Sequence, residues 1–195
     1  MTPVSLPEGA TVARRLVSEG YRAILIGGLA VEVAGFGGTK DVDLLVPVEE
    51  FDGILYLKGD GLEILSTTGG WVTNGRLTLE DGTTVPFDVL HPSKFVGPGH
   101  SGEDFFRYVE QHGSRKTRYG RVAFPSVVYY TRLLVSGPHG ELYIERIRRD
   151  LDGGAPWSWV GDALAIARQF GTEKRVKPRI RRLETYRRAP GLRLQ

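Results

Sequence analysis

The stretch that decides the fold runs from residue 23 to residue 46 and reads AILIGGLAVEVAGFGGTKDVDLLV. Its first four residues, 23–26, form a short apolar run, which is typical of a buried strand. Gly27 and Gly28 interrupt that run and allow the backbone to turn tightly. Residues 29–34 contain no further helix breaker. The pattern therefore predicts a strand, a tight turn at Gly27 and Gly28, and a helix.

The second half of the stretch begins with the glycines of residues 35–38, which end the predicted helix. Asp41 and Asp43 then open a second apolar strand that continues through residues 44–46. Side chains two apart on a strand point to the same face, so the two carboxylates are expected to lie together. Two close carboxylates repel each other unless a cation lies between them, and such hard oxygen ligands suit Mg²⁺.

The two halves together indicate phosphate chemistry. Free backbone N–H groups at the turn of Gly27 and Gly28 would form a cradle for phosphate beside the carboxylate pair. A phosphate cradle next to two carboxylates is typical of phosphoryl or nucleotidyl transfer. Each half alone is common without such a role, because glycine pairs follow many strands and Asp-x-Asp is often a solvated loop or a cap.

The whole stretch resembles the signature of the nucleotidyltransferase superfamily, the DNA polymerase β-like fold. Residues 39–46, TKDVDLLV, are most similar to the branch of AbiEii-type toxins and related small transferases. The resemblance implies an α/β (α+β) fold with a mixed sheet flanked by helices and a helical C-terminal region. It also implies that Gly27, Gly28 and Lys40 bind the nucleotide. The chain departs from that branch at Gly37, where an Arg is frequent.

Asp88 is an acid within the otherwise apolar segment of residues 84–90, and burying an unpaired carboxylate is unfavourable, so we expect it to have a partner. The alternative is an edge-strand acid that faces water. The resemblance implies a third metal-binding carboxylate on a later strand, and Asp88 matches it. A helix over residues 126–135 is expected after Pro125, and Arg132 on it is a loose match for a triphosphate-binding residue.

By resemblance, the chain is expected to be a Mg²⁺-dependent nucleotidyltransferase that moves a nucleoside monophosphate from NTP to an acceptor and releases pyrophosphate. The predicted catalytic and metal-binding residues are Asp41, Asp43 and Asp88. The predicted nucleotide-binding residues are Gly27, Gly28, Lys40 and Arg132. Two other functions stay open: a small-molecule transferase of the antibiotic-modifying type, and a non-catalytic nucleotide- or RNA-binding module of the same fold.

The charge of the chain is unevenly distributed. The 195 residues carry a net charge of +3, but residues 171–195 alone carry nine Lys or Arg and two Glu, a net of +7, which leaves −4 for the rest. This basic tail is the expected contact for an RNA or tRNA acceptor; a solvated basic helix is the alternative. No protein partner can be named from the sequence.

The remaining composition points to a cytoplasmic protein. The sequence contains no cysteine, its first residues do not resemble a signal peptide, and no apolar run approaches the length of a membrane span. We expect a catalytic core over residues 1–124 and a helical region over residues 125–195.

Several smaller elements are also expected from local patterns. Residues 11–18 should form a helix with Val17 among its inner residues, and residues 48–57 another with Leu55 inward. Two short strands, 71–74 and 76–79, are expected around a glycine. A basic run over residues 115–121 fits a solvated loop, and His91 and His100 are weak substrate-site candidates.

Overall fold

The structure is a computed structural model that describes residues 4–39 and 41–188, with Arg188 described by its backbone alone. Its helices are α1 (Leu6–Ser18), α2 (Gly27–Glu32), α3 (Val48–Ile54), α4 (Gly102–Gln111), α5 (Pro125–Leu134), α6 (Gly137–Asp152), α7 (Ser158–Gln169) and α8 (Glu173–Arg188). Its strands are β1 (Ile24–Ile26), β2 (Val42–Leu45), β3 (Lys58–Gly59), β4 (Leu62–Thr68), β5 (Val72–Thr78), β6 (Thr84–Leu90), β7 (Ser114–Thr117) and β8 (Gly120–Ala123). A short 3-10 helix, Pro92–Phe95, follows β6.

The strands form an eight-stranded mixed sheet in the order β3-β4-β5-β6-β2-β1-β8-β7. β2 is antiparallel to β1 and parallel to β6, and β1 is parallel to β8. The two strands of the deciding stretch therefore lie at the centre of the sheet, where their apolar residues are buried on both faces. The predicted α/β fold, a mixed sheet flanked by helices with a helical C-terminal region, is confirmed.

Helix α1 begins at Leu6, earlier than the sequence pattern indicated. The backbone N–H of Ser5 donates to the Glu8 carboxylate over 2.6 Å, and the Ser5 hydroxyl accepts from the backbone of Glu8, which is a capping box. Val12 is buried as expected, but Val17 is 55% exposed, so its inward assignment was wrong. The apolar face of this helix is narrower than the run of hydrophobic residues suggested.

Helix α3 ends at Ile54, three residues before the expected end, and this changes one face assignment. Phe51 and Ile54 are buried, whereas Leu55 follows the last helical residue and is 38% exposed. The expectation that Leu55 points inward was wrong because the chain leaves the helix there.

Two other segments differ from the expectation. β5 is one continuous strand, because Gly75 does not break it but lies against the ring of Phe87 on β6, where a Cβ atom would come within 2.8 Å of the ring. The basic run of residues 115–121 is a hairpin at the edge of the sheet, formed by β7 and β8, and not a loop.

The helices from α5 onward pack on one another and on the sheet through a continuous set of buried apolar side chains. Part of the predicted basic tail is used within the fold. The guanidinium of Arg179 donates to the carbonyl of Leu133 at 2.7 Å, and that of Arg175 to the carbonyl of Leu134 at 3.4 Å, so both cap the end of α5. Arg182 forms a bidentate ion pair with Glu141. The division at residue 124 stays a prediction.

In the part of the chain that the structure describes, none of the helices has both the length and the apolar character needed to cross a membrane.

Candidate active site

Two carboxyls meet at the centre of the sheet. Asp43 on β2 and Asp88 on β6 are register partners in two parallel, hydrogen-bonded strands, so their side chains project to the same face. Both are partly buried. The sequence expectation that Asp88 lies beside the Asp-x-Asp strand agrees with this register.

The electrostatics of this pair are unfavourable without a cation. Burial, together with the nearby charges of Asp41 and Asp88, raises the pKa of Asp43 to about 8. Burial also raises the pKa of Asp88, and the charge of Asp41 adds to it. Lys94 and Arg132 oppose the shift of Asp43 but do not cancel it. Without a cation, the site therefore disfavours the simultaneous ionisation of both carboxyls.

Asp88 has the partner that its burial requires. The side-chain amide of Asn74, its register partner on β5, donates a hydrogen bond of 2.6 Å to the Asp88 carboxylate and thereby opposes the rise of its pKa. The amide oxygen of Asn74 in turn accepts from the hydroxyls of Ser66 and Thr68. This chain of hydrogen bonds fixes the orientation of Asp88.

Asp41 stands slightly apart from the other two carboxyls. Its carboxylate accepts a hydrogen bond of 2.7 Å from the hydroxyl of Thr39, and it does not line the cleft that the other two share. Within the described residues, no group of three or more His, Cys, Asp or Glu side chains is placed to hold a metal ion. The structure thus presents a carboxylate pair with a third carboxylate close enough to influence both pKa values.

The tight turn at Gly27 and Gly28 lies directly against this pair. Gly27 has a φ of +71°, and a Cβ atom there would overlap the Asp43 carboxylate, so both its conformation and its contact require glycine. A Cβ atom on Gly28 would instead come within 2.5 Å of Thr39. A side chain at Gly28 would therefore first displace Thr39, the partner of Asp41.

A cleft of about 110 Å³ opens at this point and combines acidic with basic walls. The helical C-terminal region contributes one side of it. The cleft is lined by Ile26, Gly27, Gly28, Asp43, Val72, Asp88, Leu90, Lys94, Phe95, Thr131, Arg132, Val135, Tyr143 and Arg146. The cleft thus brings together five of the predicted site residues: Gly27, Gly28, Asp43, Asp88 and Arg132.

Three titratable residues of the cleft were not predicted from the sequence: Lys94, Tyr143 and Arg146. Lys94 is in the 3-10 helix after β6, and its pKa is lowered by burial, although Asp43 and Asp88 favour its charged form. The guanidinium groups of Arg132 and Arg146 lie 6.0 and 5.6 Å from the centre of the Tyr143 ring. The one available signal was the position of Lys94 just after the strand that carries Asp88.

Arg132 is buried and paired. Its guanidinium donates to the Asp150 carboxylate at 3.4 Å, and the same carboxylate accepts from the hydroxyl of Tyr129 at 3.3 Å. The Arg132 and Asp150 side chains are only 5% and 7% exposed. Burial lowers the pKa of Arg132 and raises that of Asp150, since desolvation exceeds the attraction within the pair.

A larger pocket of about 670 Å³ adjoins the cleft and shares Arg132 and Arg146 with it. We call it the glycine-turn pocket, because one wall is the turn between α2 and β2. It is lined by residues 35–39 together with Arg132, Arg146, Arg149, Asp150 and Gly153. The positive charge that is missing at Gly37 is thus present on α5 and α6.

The other sequence candidates lie elsewhere. Lys40 falls outside the described residues. The ring of His91 packs between Phe51 and Trp71 with centroid distances of 4.8 and 5.3 Å, and its Nδ1 accepts from the backbone of Ser93. His100 packs on Phe170 at 6.2 Å. Neither histidine lines the cleft.

The residues fit a hard divalent cation in their chemistry. The available ligands are carboxylate oxygens. Burial disfavours the ionised forms of Asp43 and Asp88, and a bound cation would stabilise them. No thiol or imidazole competes in the lining of the cleft.

No protein-family model matches the chain, and no curated protein is similar enough to be matched. Among solved structures, the chain is similar to an antigenic nucleotidyltransferase-like protein from Paracoccidioides brasiliensis, with 16% identity, a TM-score of 0.48 and coverage of 92% of this chain and 95% of that one. It is also similar to a candidate nucleotidyltransferase from H. pylori, with 10% identity, a TM-score of 0.44 and coverage of 93% and 92%.

Proposed function

We propose that the chain is a Mg²⁺-dependent nucleotidyltransferase. The single observation that carries this proposal is the register of Asp43 with Asp88 directly against the turn of Gly27 and Gly28. The resemblance of residues 23–46 to the superfamily signature supports the same conclusion. Asp43 and Asp88 would hold the cation, and Asp41 is the third candidate ligand.

The acidic residues of the cleft would bind the cation, and its basic residues would bind phosphate. Lys94 and Arg146 line the cleft that contains the carboxylate pair and would bind the phosphate oxygens of NTP, next to the backbone of Gly27 and Gly28. Arg132 would contribute through its position, because its guanidinium is already held by Asp150. When bound, Mg²⁺ would supply electrostatic stabilisation of the negative charge on the phosphates.

The proposed reaction forms a bond between an acceptor oxygen and the α-phosphorus of NTP and breaks the bond from that phosphorus to pyrophosphate. The proton of the acceptor hydroxyl would pass to Asp88, whose carboxylate lines the cleft beside Asp43. No covalent intermediate with the protein is needed.

The charge around the cleft disfavours the antibiotic-type alternative. An acceptor with several amines would need an acidic pocket, whereas the adjoining glycine-turn pocket has three arginines and one aspartate. An RNA acceptor fits this charge better. Among the described tail residues, Lys174, Arg181 and Arg187 are exposed and form no ion pair with described residues, so they are cations of α8 that could contact a backbone.

The experiment that tests the function is pyrophosphate release from each of the four NTPs with Mg²⁺ and total RNA. Wild-type protein should release pyrophosphate, and the folded Asp43→Asn variant should not. The non-catalytic binding module predicts instead that both proteins bind NTP and that neither releases pyrophosphate.

A further inference from the structure

The glycine-turn pocket has the size of a substrate site, whereas the cleft does not. Its volume of about 670 Å³ lies within the range of roughly 300–1,000 Å³ that is usual for small-molecule pockets. The cleft, at about 110 Å³, can accept phosphate groups and ions but not a whole nucleotide. Arg132 and Arg146 line both spaces, so a group in the pocket lies beside the reaction centre.

The pocket carries a surplus of positive charge. Its one acid, Asp150, is already engaged by Arg132 and by the hydroxyl of Tyr129. Arg146 and Arg149 have no carboxylate within ion-pair distance in the part of the chain that the structure describes. Both guanidinium groups are therefore available to an anion.

The glycines that line the same pocket offer backbone donors. Gly37 and Gly38 have φ angles of +84° and +148°, and their N–H groups form no hydrogen bond to the described residues. Gly37 also packs closely, since a Cβ atom there would come within 3.3 Å of Val31. A pocket lined by backbone with unengaged N–H groups and by two arginines without a carboxylate partner is suited to a phosphate group, which has several acceptor oxygens.

We propose that the glycine-turn pocket binds a phosphate group of the acceptor and so places the acceptor's hydroxyl at the carboxylate pair. This inference rests on the proposed function and names its acceptor class: a molecule that already carries phosphate. The NTP would place its phosphates in the cleft and its base outside it, next to the apolar lining residues Val72, Leu90, Phe95 and Val135. The phosphate can belong to a mononucleotide or to the end of an oligonucleotide, which the test distinguishes.

A change at Arg149 tests the pocket independently of the cleft, because Arg149 lines the pocket and not the cleft. The test measures binding by calorimetry, with and without saturating α,β-methylene-ATP. The probes are AMP and a short 5′-phosphorylated RNA, each compared with its phosphate-free counterpart. We expect one or both phosphorylated probes to bind about tenfold more tightly than their counterparts, and the analogue not to displace them.

Arg149→Ala should remove about that tenfold preference and leave the affinity for the ATP analogue unchanged, and Arg149→Lys should restore part of it. Arg107→Ala, an exposed arginine on α4, is the control and should change neither affinity. Binding by AMP assigns a mononucleotide acceptor, and binding by the RNA alone assigns a nucleic-acid end.

The proposal is contradicted if phosphate makes no difference to either probe, if Arg149→Ala leaves the preference intact, or if the ATP analogue displaces the probes and so occupies the pocket itself. Failure of the proposed function gives a different pattern. In that case the analogue does not bind in the cleft, while the phosphate preference and its dependence on Arg149 persist.

Discussion

Asp43 and Asp88 are register partners on the parallel strands β2 and β6, and they face one side of the sheet although they lie far apart in the sequence. Burial raises the pKa of both carboxyls; the charges of Asp41 and Asp88 add to the rise at Asp43, and the charge of Asp41 adds to the rise at Asp88. The sheet therefore holds two acids in an arrangement that is unfavourable for the metal-free protein and favourable for a bound cation.

The first prediction concerns the stability of the metal-free protein. The pKa of Asp43 is about 8 in the folded protein and 3.8 ordinarily, so the folded state binds its proton more tightly between these values. The free energy of unfolding should thus fall as pH rises from about 4 to 8, by at most about 1.4 kcal/mol per pH unit from this group. Asp43→Asn removes this loss.

Urea unfolding in EDTA at pH 5 and pH 9 measures the effect. Asp43→Asn should be more stable than wild type at pH 9 and much closer to it at pH 5, whereas Asp52→Asn, at an exposed position, serves as the control. An equal difference at the two pH values would contradict the account of the pair.

The second prediction concerns Asn74 as a positioning residue. Its hydrogen bond favours the ionised form of Asp88, so Asn74→Ala should raise the pKa of Asp88. The acidic limb of the pH–rate profile should then move to higher pH, with about a tenfold loss of rate near neutral pH. Arg76→Ala on the same strand is the control. A uniform loss of rate with an unmoved profile would indicate a merely structural role.

The third prediction separates two adjacent glycines. Gly27→Ala should be strongly destabilising, because φ is +71° and the new methyl group would overlap the Asp43 carboxylate. Gly28→Ala should act through Thr39 and release Asp41. Gly161→Ala is the matched control: its Cβ atom meets nothing within 4 Å in helix α7, and it should stabilise by about 0.5–1 kcal/mol.

Thermal unfolding and NTP binding distinguish these variants. The turn would lose its assigned role if the Gly27→Ala protein were as stable as wild type and bound NTP with unchanged affinity.

The site residues that lie close together in the sequence could be predicted, whereas those that reach the site through long-range packing could not. The deciding stretch contains its own strand, turn and Asp-x-Asp pattern, so local periodicity was sufficient to place Gly27, Gly28 and Asp43. Asn74 and Arg146 reach the site only through the pairing of β5 with β6 and the packing of α6. No local pattern distinguishes them from other polar residues of a strand or a helix.

The errors have the same origin. Val17 and Leu55 were placed inward from hydrophobicity alone, but the exposed face of a helix and its last turn are set by tertiary packing. Several basic residues of the tail were taken as a possible RNA contact. The structure adds that Arg175 and Arg179 cap α5, a use that depends on how α8 packs against that helix.

The fourth prediction concerns the buried pair. Arg132→Met leaves Asp150 buried without its cation and should lower the free energy of unfolding by about 3 kcal/mol. The double variant Arg132→Met with Asp150→Leu should recover most of that stability, because apolar groups of similar size replace both charges. Transfer activity should stay low in both variants, since Arg132 also lines the cleft. Equal instability of the single and double variants, measured by urea unfolding, would contradict the pairing.

The central claim is tested most directly by the fate of two labels. The protein is incubated with Mg²⁺ and RNA or AMP, once with NTP labelled at the α-phosphate and once with NTP labelled at the γ-phosphate. The account predicts that the α-label is transferred to the acceptor, that the γ-label leaves in pyrophosphate, and that Asp43→Asn abolishes both events. Transfer of the γ-label, or transfer of the α-label that Asp43→Asn leaves intact, would contradict it.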